Sequence, residues 1–164
     1  LREALTVAFT TPLEPEDLFE LSRGLDRMLN GAKNAVREAE VMEIAPDEAI
    51  GEMAAELSDG TRLLAAAISA LGSEAREATT LASRAARSQS RFEKIYRRAM
   101  SALITAEDLR EVAAKRELYR RLSRASDDLR EVAGKRELYR RLARASDDLR
   151  EVAERVWYAV LKQR

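Results

Sequence analysis

Asp26 and Asn30 are the first residues in this 164-residue chain whose types and spacing could do chemistry. They lie four residues apart in a segment with helical periodicity, so their side-chain oxygens project from neighbouring turns. Such a pair could share a cation or a water at the margin of a helical bundle. The alternative is a solvated helix face, where polar pairs at this spacing are common, and we favour that interpretation.

A second set of acidic residues, Glu48, Glu52 and Glu56, repeats every four residues along another predicted helix. This ladder could bind a hard cation only if a second helix supplied more oxygens, because calcium takes six or more ligands. We therefore expect the three glutamates to form a solvated outer face.

The chain contains no histidine and no cysteine. Their absence excludes imidazole and thiol catalysis, disulfides, and the usual zinc and haem ligands, so only carboxylates remain as strong metal ligands. Ferritin-like di-iron chemistry is excluded as well, since it uses two Glu-x-x-His motifs. The sequence predicts a protein that is not an enzyme and carries no cofactor.

The charges balance, with 29 basic and 29 acidic residues. No global field therefore draws the protein to nucleic acid or to an anionic membrane. The longest apolar run, Leu63 to Leu71, is interrupted by Ser69 and is far shorter than the roughly 20 residues that span a bilayer. We expect no membrane insertion, and the lack of cysteine is compatible with a cytoplasmic location.

The elements that position these residues are long helices. Hydrophobic residues make up 46% of the chain and charged residues 35%, and no segment alternates with a period of two. We predict a single all-α domain over residues 1–164, an antiparallel up-down bundle of long helices. The predicted helices run from Leu1 to Phe9, from Pro15 to about Glu40, from Asp47 to Leu71, from Ser73 to about Ile104, and onward from the start signal at Thr105 to Asp108.

The last third of the chain contains a tandem duplication of 20 residues over 109–148. The copy from Leu109 to Asp128 recurs from Leu129 to Asp148 with two differences, Ala114/Gly134 and Ser123/Ala143.

Twenty residues of continuous helix rotate the apolar face by roughly 200° net, so two copies on one helix present their stripes to opposite sides. We favour an extended C-terminal helix, about 80 Å from Leu109 to Lys162. The alternative is a break near Gly134, where helix propensity is lower by about 1 kcal/mol. With the long helix, we expect a symmetry mate to cover the surplus stripe, whose interface residues are Leu118, Tyr119 and Leu122 or their repeat mates Leu138, Tyr139 and Leu142.

The segment from Phe9 to Asp26, FTTPLEPEDLFELSRGLD, resembles the F-x-T-P-x-x-R-E-D-I-x-x-L-x-x-x-L-D signature of PhoU-like proteins, which regulate phosphate transport and often accompany Pit-type transporters. Arg91 to Arg97, RFEKIYR, resembles the E-A-D-x-I-Y-R helix of that family. Leu142 to Val152 resembles its final L-E-x-x-x-D helix. The resemblance implies an all-α bundle and a non-enzymatic regulator of phosphate uptake that contacts a transporter or a signalling protein.

Many PhoU relatives bind iron or zinc clusters through repeated E/D-x-x-x-D motifs. At the matching positions this chain has Asp26 with Asn30, Gln89 with Glu93, and Ala143 with Asp147, or Ser123 with Asp127 in the duplicate. Asp26, Asn30, Glu93 and Asp147 are thus the metal ligands that the resemblance implies, in motifs that have each lost a carboxylate. The family's opening helices have no counterpart before Leu1, so we expect an N-terminally incomplete bundle that associates into a homo-oligomer. A purely structural assembly module, with oligomerisation through the long C-terminal helix, is the alternative function.

Overall fold

The computed structural model describes residues 15–71, 75–135, 139–140 and 151–155. Across these ranges the chain is an all-α helical bundle without strands, as the sequence predicts. The predicted helix from Leu1 to Phe9 lies outside the described residues. The helices are α1 (Pro15–Val41), α2 (Glu48–Ala70), α3 (Ala75–Ala102) and α4 (Leu109–Gly134), with a 3₁₀ turn at Leu103–Thr105.

The helices begin where short-range capping chemistry predicts. Asp47 caps α2, and its Oδ1 accepts a 2.9 Å hydrogen bond from the Ile50 amide. Asp108 caps α4 in the same way, accepting a 2.8 Å bond from the Arg110 amide. Helix α1 begins at Pro15, which suits a first helical position because proline lacks the amide hydrogen that would stay unpaired there.

Helix α4 is the central element of the bundle. It packs against α1 and α3 and more lightly against α2, while α2 and α3 form the closest pair. Helix α1 packs chiefly against α4. One flank of α1 is consequently left without a helical neighbour among the described residues.

Two apolar clusters fill the bundle. One cluster lies toward the end of α4 and includes Leu21, Met28, Leu64, Leu129, Val132 and Tyr139. The other lies toward the start of α4 and includes Ala35, Met53, Phe92, Leu118, Tyr119 and Leu122.

Small residues let α2, α3 and α4 approach closely between the two clusters. A Cβ atom on Gly60 would lie 2.4 Å from Ser88 Oγ and 2.5 Å from Leu129 Cδ2. Ser88 is itself buried and donates its hydroxyl to the Ala85 carbonyl at 2.7 Å. Any larger residue at position 60 would make the buried side chains of Ser88 or Leu129 shift, so space rather than backbone conformation favours glycine there.

The favoured prediction of one helix from Leu109 to Lys162 is wrong. Helix α4 ends at Gly134, and Lys135 follows with φ −73° and ψ 61°, outside helical geometry. The break lies at the position where glycine replaces alanine between the two repeats, which is the alternative that the sequence left open.

The duplication places identical residues in different environments. Within α4, the first residue of one copy, Leu109, is 80% exposed, whereas the first residue of the next copy, Leu129, is 1% exposed. This reversal agrees with a net rotation of roughly 200° per repeat. Tyr139, seven residues after the buried Val132, is also fully buried.

Four of the six predicted interface residues are largely buried inside this chain. Leu118, Tyr119, Leu122 and Tyr139 are all less than 10% exposed in the single chain. They are packed within the two core clusters and expose little surface to a second copy. Leu138 and Leu142 lie outside the described residues.

Candidate protein-interaction site

The residues of the predicted metal motifs do not converge on one site. Asp26 and Asn30 are both exposed on α1. Glu93 on α3 forms an ion pair with Arg97, one turn further along the same helix. Asp147 lies outside the described residues. Over the ranges that the structure describes, no group of three acidic side chains is arranged to hold a metal ion.

One pair from these motifs does meet. The Gln89 side-chain amide on α3 donates a 3.4 Å hydrogen bond to Asp127 Oδ1 on α4. An amide donor facing a carboxylate occupies the place where a shared cation would need a second oxygen. This contact links α3 to α4.

Two of the three glutamates in the ladder on α2 form ion pairs with α3. Arg91 Nε on α3 lies 2.8 Å from Glu56 Oε2. Arg98 on α3 forms an ion pair with Glu52. These two carboxylates therefore join α2 to α3 along the bundle surface, where they remain partly exposed to solvent. Of the three glutamates, only Glu48 is in the exposed class.

The most distinctive exposed feature is an apolar face on α1. The apolar residues of this helix divide into two adjacent rows. Leu21, Met28 and Ala35 are buried against α4. Leu18, Leu29 and Val36 lie roughly 80° further around the helix and are 51%, 57% and 61% exposed. We call this second row, which also contains Leu25 and Ala32, the α1 apolar face.

An apolar groove of about 560 Å³ continues the α1 apolar face past the end of the helix. Its walls come from four separate segments of the chain, and its volume is within the range of roughly 300–1,000 Å³ that is usual for binding sites. The walls include Val36 and Ala39 of α1, Ile44 of the connector, Ile50 and Ala54 of α2, and Leu118 of α4.

The turn that ends α1 forms the rim of this groove. The Ile44 amide donates to the Ala39 carbonyl at 3.0 Å, and the Glu43 amide donates to the Glu40 carbonyl at 3.2 Å. This bonding pattern defines a Schellman motif, in which the residue at the Glu43 position takes a left-handed conformation and is usually glycine. Here Glu43 has φ 52°, and it alone among the described non-glycine residues has a positive φ.

A hydrogen-bonded network holds the connector that follows the turn. The Tyr119 hydroxyl on α4 donates a 2.8 Å bond to Asp47 Oδ2, and Lys115 Nζ lies 3.1 Å from the same oxygen. Lys115 also lies 2.7 Å from Glu111 Oε1. The network ties the start of α2 to α4, and it thereby fixes the groove wall built from Ile44 and Ile50.

The pKa values of this network show how it is stabilised. Burial alone would raise the pKa of Asp47. Hydrogen bonds from the Ile50 amide and from the Tyr119 and Lys115 side chains outweigh burial and lower the pKa of this carboxyl. Burial, with the bond to Asp47, raises the pKa of Tyr119 to about 12. The Glu111 carboxylate is the main reason that the pKa of Lys115 is raised. At neutral pH Asp47 is therefore a carboxylate, Lys115 an ammonium and Tyr119 a neutral phenol.

The sequence did not predict the groove, although the width of the apolar surface on α1 indicated an additional contact. The apolar positions of α1 cover two rows, which is wider than packing against a single helix requires. Sequence periodicity alone does not separate the two rows, because both recur at threes and fours. The segment from Val41 to Asp47 follows the predicted end of one helix near Glu40 and leads to the start of the next, and nothing local in it shows that Ile44 and α4 line the same groove.

No helix in the described ranges is both long enough and apolar enough to cross a membrane. Comparisons of this chain with protein-family models, with curated proteins and with solved structures find no match.

Proposed function

We propose that this protein is a non-enzymatic regulatory or accessory protein that acts through protein contacts. The observation that carries this proposal is the α1 apolar face, on which Leu18, Leu29 and Val36 are each more than half exposed along one side of a helix. Single exposed apolar residues are ordinary, but a contiguous row that leads into an apolar groove is typical of an interaction site.

The absence of histidine and cysteine supports a non-enzymatic role, because imidazole and thiol groups are common carriers of acid-base and nucleophilic catalysis. Asp47, Lys115 and Tyr119 are bound to one another and tie α2 to α4.

Phosphate uptake is the process that we propose for this contact. Its support is the resemblance of Phe9 to Asp26, and of two later segments, to PhoU-like proteins. The partner is then a phosphate transporter or a signalling protein, and we place the contact on the cytoplasmic side of the membrane as part of the same proposal.

A structural assembly module is the second candidate. The spacing of the α1 apolar face favours it, because steps of seven, four, three and four residues from Leu18 to Val36 match the seam of a coiled coil. In that case a second copy of the chain covers the face, and the protein is a homo-oligomer.

Co-purification with a Pit-type phosphate transporter tests the proposal. The variant Leu29→Lys with Val36→Lys places charge on the face at exposed positions, so folding is preserved. We expect transporter recovery to fall at least tenfold. The control, Ile104→Lys with Leu109→Lys, changes residues that are 82% and 80% exposed elsewhere, and it retains recovery.

Two results would contradict this proposal in different ways. If the face variant and the control variant recover equal amounts of transporter, the α1 apolar face is excluded as the contact. If the unaltered protein recovers no transporter but sediments as an oligomer that the face variant dissociates, the assembly module replaces the regulatory function.

A further inference from the structure

We infer that the groove at the end of α1 receives the apolar side of an amphipathic helix from a partner protein, with a lysine or arginine of that helix against Glu40 and Glu43. This inference rests on the proposed function and deepens it, because it names the chemistry of the partner.

The shape of the groove fits a helix. Its walls are formed almost entirely by aliphatic side chains, and the α1 apolar face extends it along the helix axis. From Leu29 to Glu43 this surface is about 20 Å long, which equals nearly four turns of a partner helix. Helices bind such grooves by apolar residues at spacings of three, four and seven. A compact small molecule in the groove would leave Leu29 and the earlier part of the α1 apolar face uncovered.

The charge at the groove mouth selects the partner. Glu40 and Glu43 line the groove, are exposed, and form no ion pair with any residue that the structure describes. The last turn of α1 contains no basic residue, so the partial negative charge of the helix end is not compensated within that turn. Both effects attract a cationic side chain, and they act at the same end of the apolar surface.

The backbone at Glu43 is a second observation. Its left-handed conformation is disfavoured for every residue except glycine, and asparagine or aspartate tolerate it better than glutamate does. Folding therefore gives no reason for glutamate at this position. A carboxylate that binds a partner at the rim does give one.

The same charges argue against a second copy as the occupant. An antiparallel pairing of two α1 helices brings Glu40 and Glu43 of one copy toward Glu16 and Asp17 of the other, and a parallel pairing brings them toward each other. Like charges are adjacent in both arrangements and oppose association. A different, basic helix has no such repulsion.

Selection from a phage-displayed library of random 16-residue peptides tests this inference with the full chain. We expect enriched peptides to have apolar residues at helical spacing and a lysine or arginine near one end. The selected peptides are then synthesised and their binding measured by fluorescence anisotropy. Ala54→Arg fills the groove, and Glu40→Lys with Glu43→Lys reverses its charge. Each is expected to weaken binding at least tenfold.

The matched control is Ala55→Arg, which adds the same side chain to an exposed neighbour of Ala54 outside the groove. The affinity of Ala55→Arg for the selected peptides is expected to stay within twofold of that of the original chain. Thermal unfolding followed by circular dichroism establishes that all variants are folded. No enrichment, enrichment of acidic peptides, or equal binding to Ala54→Arg and Ala55→Arg overturns the inference.

Further outcomes separate this inference from the proposed function. If peptide binding is lost in the variant Leu29→Lys with Val36→Lys but kept in Ala54→Arg, the groove is not the binding site. The α1 apolar face then remains as the contact. A dimer that Ala54→Arg dissociates makes a second copy the occupant. A stoichiometric lipid that is extracted from the original chain and is absent from Ala54→Arg also overturns the inference.

Discussion

Tyr119 and Tyr139 occupy the same position in the two 20-residue repeats, and both side chains are buried, with exposed fractions of 2% and 0%. Their hydroxyls differ. Tyr119 donates to Asp47, whereas the Tyr139 hydroxyl has no hydrogen-bond partner in the part of the chain that the structure describes. The same side chain was thus duplicated into a site that accepts its ring but does not pair its hydroxyl.

This difference predicts opposite effects of one substitution at the two positions. Tyr139→Phe removes an unpaired buried hydroxyl, and we expect it to raise the free energy of unfolding by about 1 kcal/mol. Tyr119→Phe removes a paired hydroxyl and leaves Asp47 with one donor fewer, so we expect a loss of about 1–2 kcal/mol. Urea denaturation measures both. A destabilised Tyr139→Phe would show that its hydroxyl is paired after all.

The lowered pKa of Asp47 predicts acid sensitivity of the connector. Because the folded pKa lies below the ordinary value of 3.8, the stabilisation is present above pH 3.8 and is lost as the pH falls through the folded pKa. Asp47→Asn keeps a good N-cap but removes the charge. We expect it to cost about 1–2 kcal/mol at pH 7 and to approach the stability of the original chain as the pH falls below the folded pKa of Asp47. A difference that is independent of pH would contradict the ion pair with Lys115.

The close approach at Gly60 predicts that one added methyl group is destabilising. In Gly60→Ala the Cβ atom would overlap Ser88 and Leu129, and we expect a cost of about 1–3 kcal/mol. Gly51→Ala is the matched control on the same helix, because no atom lies within 4 Å of its Cβ position. It should stabilise the chain by about 0.5–1 kcal/mol through helix propensity. Thermal unfolding compares the stabilities of Gly60→Ala and Gly51→Ala. Equal changes in stability would exclude tight packing around Gly60.

The strained turn predicts a trade between stability and binding. Glu43→Gly suits the left-handed conformation, and we expect it to stabilise the chain by about 1 kcal/mol while weakening the binding of basic helical peptides. Glu40→Gly removes the same charge inside α1, where glycine costs about 1 kcal/mol. Chemical denaturation with peptide anisotropy measures both properties. If Glu43→Gly binds such peptides as tightly as the original chain, Glu43 has no part in recognition.

The helix starts at Pro15, Asp47 and Asp108 could be predicted because capping depends on residues within one turn. The residue at which α4 ends could not be predicted from neighbouring residues in the same way. Gly134 permits a break, but whether the helix ends there also depends on contacts between this part of the chain and distant helices, such as those in the core cluster that contains Tyr139. Periodicity likewise identified the apolar residues of α1 without showing that only one of their two rows has a neighbour. The groove was out of reach because its walls come from four separate segments.

Site-specific photocrosslinking in the cells that produce the protein tests the central claim most directly. Benzoylphenylalanine replaces Val36 on the α1 apolar face or, as the control, Ile104, which is 82% exposed away from it. We predict an adduct with a phosphate transporter or its signalling partner from position 36 and none from position 104. No adduct at position 36, or adducts of equal yield at both positions, would contradict a function exerted through the α1 apolar face.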